Sequence, residues 1–227
     1  MLISHRYRFI FIKVPKTAGT SIEIALSKYL GPEDIITPIN PDDELVRKEL
    51  GGRGPQNFLI PPWRMHPGDV RTMIRQRSRP RFYNHAPARF IRNRVRKGVW
   101  NSYFKFAFER NPFDRAISLY YWRYRAGLRP PISEWLKEGG LAGLAVPGIY
   151  AIDGQSAVDR IFKYEEMAAS LEKIAERVSL PETPTLPHTK HTYRTDRRPY
   201  AEVLSSDDRQ RIVQHYGDHL GDLGYEW

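Results

Sequence analysis

The sequence predicts an α/β protein with a mostly parallel central sheet and helices on its faces. Three observations carry that expectation. A short apolar run near the N-terminus feeds a glycine-containing turn and a helix. An aromatic-rich run ends in a well-capped helix near residue 111. A third short run precedes an amphipathic helix near residue 165. Strands that alternate with helices need crossovers, and crossovers favour parallel pairing. With 227 residues, 41% of them hydrophobic, the chain can bury a sizeable core, and one domain spanning residues 1–227 is expected.

Tyr7–Val14 (YRFIFIKV) is rich in β-branched and aromatic residues and reads as a buried strand. After the loop PKTAGT, Ile22, Ala25, Leu26, Tyr29 and Leu30 recur at helical spacing over Ser21–Leu30, and Gly31-Pro32 closes the segment. Residues 32–67 are rich in Pro, Gly, Asp and Asn, with one short helical stretch near Glu44–Leu50. They read as an insertion standing off the core and facing the substrate. Ala88–Lys97 reads as a basic helix ended by Gly98, and Tyr103–Arg110 (YFKFAFER) as a second strand. Asn111 then has the character of an N-cap, with Pro112 at the first helical position and Asp114 three residues after the cap. Arg160–Tyr164 is a third strand candidate, and Glu165–Val178 an amphipathic helix with Met167, Leu171, Ile174 and Val178 on one side. A Pro- and Thr-rich stretch, Pro181–Pro199, leads to a last helix over Asp207–His219, capped by Ser205 or Ser206.

The chain has no cysteine, which excludes disulfides, thiolate metal sites and cysteine nucleophiles. No run approaches the ~18 apolar residues a spanning helix needs, and no secretory leader is evident, so a cytoplasmic protein without a membrane span is expected. The net charge is +10, and residues 64–97 hold eleven Lys or Arg against one acid, Asp69. That single segment accounts for the whole excess, and indicates either an anionic partner or a solvated basic face.

Pro15-Lys16-Thr17-Ala18-Gly19-Thr20-Ser21 lies between a strand and a helix. Backbone N–H groups at a helix N-terminus, three hydroxyls and the Lys16 charge are the parts of a phosphate cradle, although an ordinary Thr- or Ser-capped turn has some of them. The order differs from the nucleoside-triphosphatase loop GxxxxGK[ST], because Lys16 precedes Gly19. Arg110 ends the second strand, where open α/β sheets bind ligands, and Ser118 follows eight residues later. Arg110 is suited to holding a phosphate; the alternative is a structural pair with Glu109 or Asp114.

Two segments carry a family resemblance. FIFIKVPKTAGTS resembles the 5′-phosphosulfate loop of sulfotransferases, and FAFERNPFDRAISLYYW resembles their 3′-phosphate strand and helix. Weaker echoes lie at Ala151-Ile152-Asp153, IFKYEEM and Leu223-Gly224-Tyr225. The VPKTAGTS variant is most similar to carbohydrate sulfotransferases and their bacterial relatives. The resemblance implies a P-loop-like sulfotransferase fold and transfer of a sulfuryl group from 3′-phosphoadenosine 5′-phosphosulfate (PAPS), without a metal. By the same resemblance the acceptor would be a hydroxyl or amine of a carbohydrate-like or small hydroxylated molecule. Carried over by motif, Lys16, Thr17, Ala18, Gly19, Thr20 and Ser21 would hold the phosphosulfate, and Arg110 and Ser118 the 3′-phosphate. Lys16 would also act on the leaving oxygen. A basic C-terminal loop closing the site would supply Lys190 or Arg194.

An acceptor proton must be removed, and relatives place a His or Glu between the two motifs. His85 is the candidate base, with His66 the runner-up and Glu23 a third whose helical position suggests an exposed face. His85 capping the following helix is the alternative. Arg89 and Arg92, which share one face of the basic helix with Arg96, are candidates for acceptor binding, and His66 is another. His188 and His191 lack further ligands nearby, so no metal is expected. No nucleic-acid-binding motif is recognisable, and a non-catalytic polyanion binder is the competing reading of the basic segment.

Overall fold

In a computed structural model, residues 1–144, 148–187, 194–217, 221, 224 and 225 are described. The N-terminus forms a hairpin that the strand reading over Tyr7–Val14 did not include. Leu2–Ser4 (β1) pairs antiparallel with Phe9–Phe11 (β2), Leu2 facing Phe11. The chain stays buried through Val14 and then enters Gly19–Ser27 (α1). Ile35–Ile36 (β3) returns to the other side of β1, and Pro41–Glu49 (α2) follows. Residues 32–67 are therefore tied more closely to the core than an excursion from it: they supply an edge strand and the buried side chains Thr37, Asp43 and Arg47.

Beyond a 3₁₀ turn at Pro62–Arg64 comes Pro67–Gln76 (α3). The expected basic helix over Ala88–Lys97 is broken. Ala88–Arg92 (α4) ends early, Arg96 is extended, and Gly98 lies inside Lys97–Ser102 (α5) rather than ending a helix. The break accompanies a tertiary tie: Arg94 turns its guanidinium to Asp69 at 2.6 Å and over the Phe90 ring at 3.6 Å, and the backbone turns extended two residues later.

Phe104–Glu109 (β4) runs into Pro112–Arg123 (α6), and Asn111 Oδ1 accepts from the N–H groups of Phe113 and Asp114, as its position before Pro112 predicts. Then follow Ile132–Lys137 (α7), a small hairpin of Ala151–Ile152 (β5) and Gln155–Ser156 (β6), Arg160–Lys163 (β7) and Met167–Val178 (α8). Tyr200–Val203 (α9) and Ser206–Tyr216 (α10) follow, the latter capped by Ser205.

The central sheet has the order β3-β1-β2-β4-β7. Its functional core is parallel: β2 pairs with β4 (Phe9 with Phe104) and β4 with β7 (Phe106 with Arg160), while β3 and β1 add an antiparallel flank. Side chains alternate between two buried faces, as parallel strands covered on both sides require. Ile10, Ile12 and Ala107 pack with Ala88 and Ile91. Phe9, Phe11, Phe106, Phe108 and Phe162 pack with Ile22 and Leu26 of α1 and Ile174 and Val178 of α8. Because β2 and β4 are parallel neighbours, their carboxyl ends lie side by side. The loop after β2 and the junction after β4 therefore open onto one place.

Candidate active site

That place is a cavity of about 940 Å³. Lys16, Ala18, Gly19, Thr20 and Ser21 line it from the first junction, Arg110 and Ser118 from the second, and Arg194 from the C-terminal loop. The first junction is shaped by backbone. Lys16 (φ 67°) and Ala18 (φ 57°) are both left-handed, an uncommon conformation for residues with a Cβ and one from which anion-binding nests are built. α1 starts at this loop without a side-chain cap, and Gly19, Thr20 and Ser21 of its first turn line the cavity. Gly19 is set by close approach: a Cβ there would lie 2.5 Å from Lys13 Cγ. Thr17 lines no part of the cavity; its hydroxyl is buried and donates to Val14 O at 3.0 Å, holding the turn closed.

Beneath the loop, Lys13 Nζ is 2.5 Å from Glu23 Oε2, and both side chains are buried. Glu23 is thus not on an exposed face of α1. Burial raises its pKa, but the Met1 amino group at 2.6 Å and Lys13 outweigh this and hold it at about 2. A carboxylate so engaged is unsuited to removing an acceptor proton.

At the second junction, neither acid expected to compete for Arg110 does so. Glu109 binds Arg115 at 2.8 Å and Asp114 binds Arg194 at 2.7 Å. The Arg110 guanidinium lies 4.4 Å from the Tyr164 ring centroid, and its buried Nε has no hydrogen-bond partner. A buried, unsatisfied, charged donor on a cavity wall is the feature a bound anion would satisfy. The two junctions are also braced together, since Arg115 Nε donates to Pro15 O at 3.0 Å. Arg194 is held in place by Asp114 and by the carbonyls of Asp196 and Arg198. Lys190, His188 and His191 lie outside the described residues.

His85 also lines the cavity. Its Nδ1 lies 3.0 Å from Lys13 O, and because a carbonyl only accepts, Nδ1 carries the proton. Nε2 is therefore the basic nitrogen. Burial lowers the pKa to about 4, and the nearby Lys13 charge acts in the same direction, so the ring is neutral at pH 7. The remaining candidates are elsewhere. His66 precedes α3 and is exposed, Arg89 is exposed and paired with Asp153, and Arg92 is exposed on α4; none lines the cavity. The break after Arg92 also removes the single basic helix face on which Arg89, Arg92 and Arg96 were expected.

Several cavity residues escaped sequence reasoning. Asp43 and Asn40 come from α2 and its leading turn, Asn84 precedes His85, and Trp122 stands with its ring 5.2 Å from Lys16 Nζ. Arg197 lines the wall beside Arg194. Lys13 had a signal, a lysine interrupting an apolar strand; Tyr164 and Glu165 lie in the IFKYEEM echo. Among the described residues, no group of three or more His, Asp or Glu is arranged to hold a metal, and no helix is long and apolar enough to cross a membrane.

A sequence model described as "Sulfotransferase family" matches residues 1–129. An "Uncharacterized protein" of Archaeoglobus fulgidus is 32% identical over 101 residues, covering 42% of this chain and 84% of its own length. No solved structure matches. The family match takes in both junctions that wall the cavity, and the chain belongs to the sulfotransferase family.

Proposed function

We propose that the cavity holds PAPS and that the protein transfers its sulfuryl group to a hydroxyl or amine of a carbohydrate-like or small hydroxylated acceptor. The observation that carries this reading is the convergence of Lys16 and Arg110 on one cavity from adjacent parallel strands. A nucleotide anionic at both ends needs two separated cationic sites on one wall, and the two junctions supply them. The unsatisfied Arg110 Nε and the left-handed turns at Lys16 and Ala18 both fit such a ligand.

When bound, PAPS supplies an activated sulfuryl group on a phosphate leaving group. The 16–21 loop and Lys16 hold the phosphosulfate end, and Arg110 with Ser118 holds the 3′-phosphate. Arg194 borders the same cavity from the C-terminal loop. His85 Nε2 takes the proton of the attacking acceptor, and Lys16 offsets charge on the departing oxygen. A base with a pKa near 4 is weak; an anionic nucleotide beside it favours the protonated ring and makes it stronger. Placement and charge stabilisation are the main work of the site, as in phosphoryl transfer. The chain is proposed to act in the cytoplasm.

The test is calorimetric titration with adenosine 3′,5′-bisphosphate, followed by mass spectrometry of hydroxylated acceptors incubated with PAPS. Saturable binding and a sulfuryl adduct are expected. Binding no stronger than that of heparin or duplex DNA would favour the polyanion-binder reading instead.

A further inference from the structure

The cavity does not use the most strongly charged surface of the molecule. Arg71, Arg75, Arg77, Arg79 and Arg81 are all exposed, and none forms an ion pair among the described residues. No acid occurs between Asp69 and Glu109 to neutralise them. None of the five lines the cavity.

The same region exposes large apolar side chains. Trp63, in the turn before α3, is 79% exposed, Ile74 is 72% exposed and Val70 is 40% exposed. Val70 and Ile74 are four residues apart, so they form one stripe along α3. Arg71 and Arg75 repeat that spacing one residue further round and form a flanking stripe. The other edge of the helix is anchored: Asp69 is buried and binds Arg94 at 2.6 Å, and Met73 is half-buried. α3 is thus fixed by one edge and presents an apolar stripe bordered by guanidinium groups to solvent.

We infer that α3 and the turn carrying Trp63 form a docking surface for an anionic lipid bilayer, with Trp63, Val70 and Ile74 entering the interface and the Arg71–Arg81 guanidinium groups binding lipid phosphates. The two components act together at a bilayer surface: apolar side chains gain by burial at the acyl boundary, and arginines gain from the negative surface potential. Tryptophan is favoured at that depth because its ring is apolar and its N–H remains solvated. A second copy of the chain fits poorly, because a two-fold contact through this face would bring its arginines against one another. A nucleic acid or acidic glycan would satisfy the arginines but leave the Val70–Ile74 stripe in water. The surface shares no residue with the cavity and stands independently of the proposed reaction.

Co-sedimentation with phosphatidylcholine vesicles, with and without phosphatidylglycerol, tests the inference. Binding is expected only to the anionic vesicles. The double variant Trp63→Ala/Ile74→Asp and the charge reversal Arg75→Glu/Arg79→Glu should each weaken it roughly ten-fold or more. All four residues are exposed, and an unchanged thermal midpoint shows that the fold is intact. Absence of sedimentation with anionic vesicles overturns the inference. So does full vesicle binding by Trp63→Ala/Ile74→Asp, which would make the patch a simple polyanion site. A concentration-dependent dimer that Ile74→Asp dissolves, without vesicle binding, would assign the surface to a second copy.

Discussion

After β2 the chain passes through two left-handed residues, Lys16 and Ala18, and α1 starts with no side-chain cap. After β4 no residue from Arg110 to Asp114 has a positive φ, and α6 starts under a capping Asn111 that accepts two N–H bonds. The first junction therefore brings the first turn of its helix, Gly19, Thr20 and Ser21, to the cavity wall. The second satisfies its helix internally and offers a guanidinium instead. Under the proposed function one would recognise an anion through backbone shape and the other through a side chain, so the two should respond to substitution differently. Single side-chain removals at the first junction should spare nucleotide binding more than they spare turnover. At the second junction binding itself should fail.

The largest effect is expected at His85, which hangs from the first junction by its bond to Lys13 O. His85→Ala should lower kcat by ~10²–10⁴ while leaving the affinity for adenosine 3′,5′-bisphosphate unchanged. Retained turnover would remove His85 from the reaction. The pH profile sharpens this. The ring titrates at about 4 in the fold and near 6.5 when unfolded. The unfolded chain therefore binds the extra proton first, and stability falls as pH drops from about 6.5 towards 4. Without nucleotide, denaturation midpoints should show that slope in the wild type and lose it in His85→Gln.

Lys16→Ala comes next, with kcat reduced by ~10²–10³ and a smaller change in nucleotide affinity, as for loss of one stabilising donor. Stopped-flow measurement of transfer separates the two. An equal loss in both would make Lys16 a plain binding group and weaken the contrast between the junctions. Arg110→Ala should show the opposite split: a loss of about 2 kcal/mol in nucleotide binding, roughly 30-fold in Kd by calorimetry. Unchanged affinity would place the 3′ end of the ligand elsewhere.

How much of this was legible beforehand differs between the same two regions. The β4–α6 junction could be read almost completely, because its signals are local: an alternating aromatic strand, an Asn before a Pro, an acid three residues on. The first loop was legible as a turn between a strand and a helix, but its buried support was not. Glu23 lies on a helix whose pattern suggests exposure, and only pairing with Lys13 and the Met1 amino group explains its burial. The helix expected over Ala88–Lys97 failed for a similar reason. Its periodicity is sound and helical-turn hydrogen bonds persist to Val95, yet Arg94 is tied to Asp69 and the backbone turns extended at Arg96. Asp43 and Asn84 reach the cavity from separate segments, and nothing in their neighbouring residues marks them.

Gly19→Ala tests the backbone character of the first junction. The added Cβ would sit 2.5 Å from Lys13 Cγ and 3.0 Å from Cε. Lys13 is pinned at its far end by Glu23, so its stem cannot swing freely. Overpacking of this kind costs about 1–3 kcal/mol, read as a lower denaturant midpoint. An unchanged midpoint would mean that Lys13 yields, and that glycine matters here only through the loop.

The smallest expected effect isolates the second junction's cap. Asn111→Ala removes the acceptor for Phe113 and Asp114 N–H, at a typical cost of about 1 kcal/mol in stability. Asn111→Ser keeps a capping oxygen and should recover most of that loss. Arg110 immediately precedes the cap, so fraying of α6 should also loosen the guanidinium from the Tyr164 ring and weaken nucleotide binding slightly. Kinetics at saturating nucleotide should then be unaffected, because the first junction is built without this cap. If Asn111→Ala instead lowered kcat as Lys16→Ala does, the two junctions would be mechanically coupled, and the bond from Arg115 Nε to Pro15 O would be the place to look for the coupling.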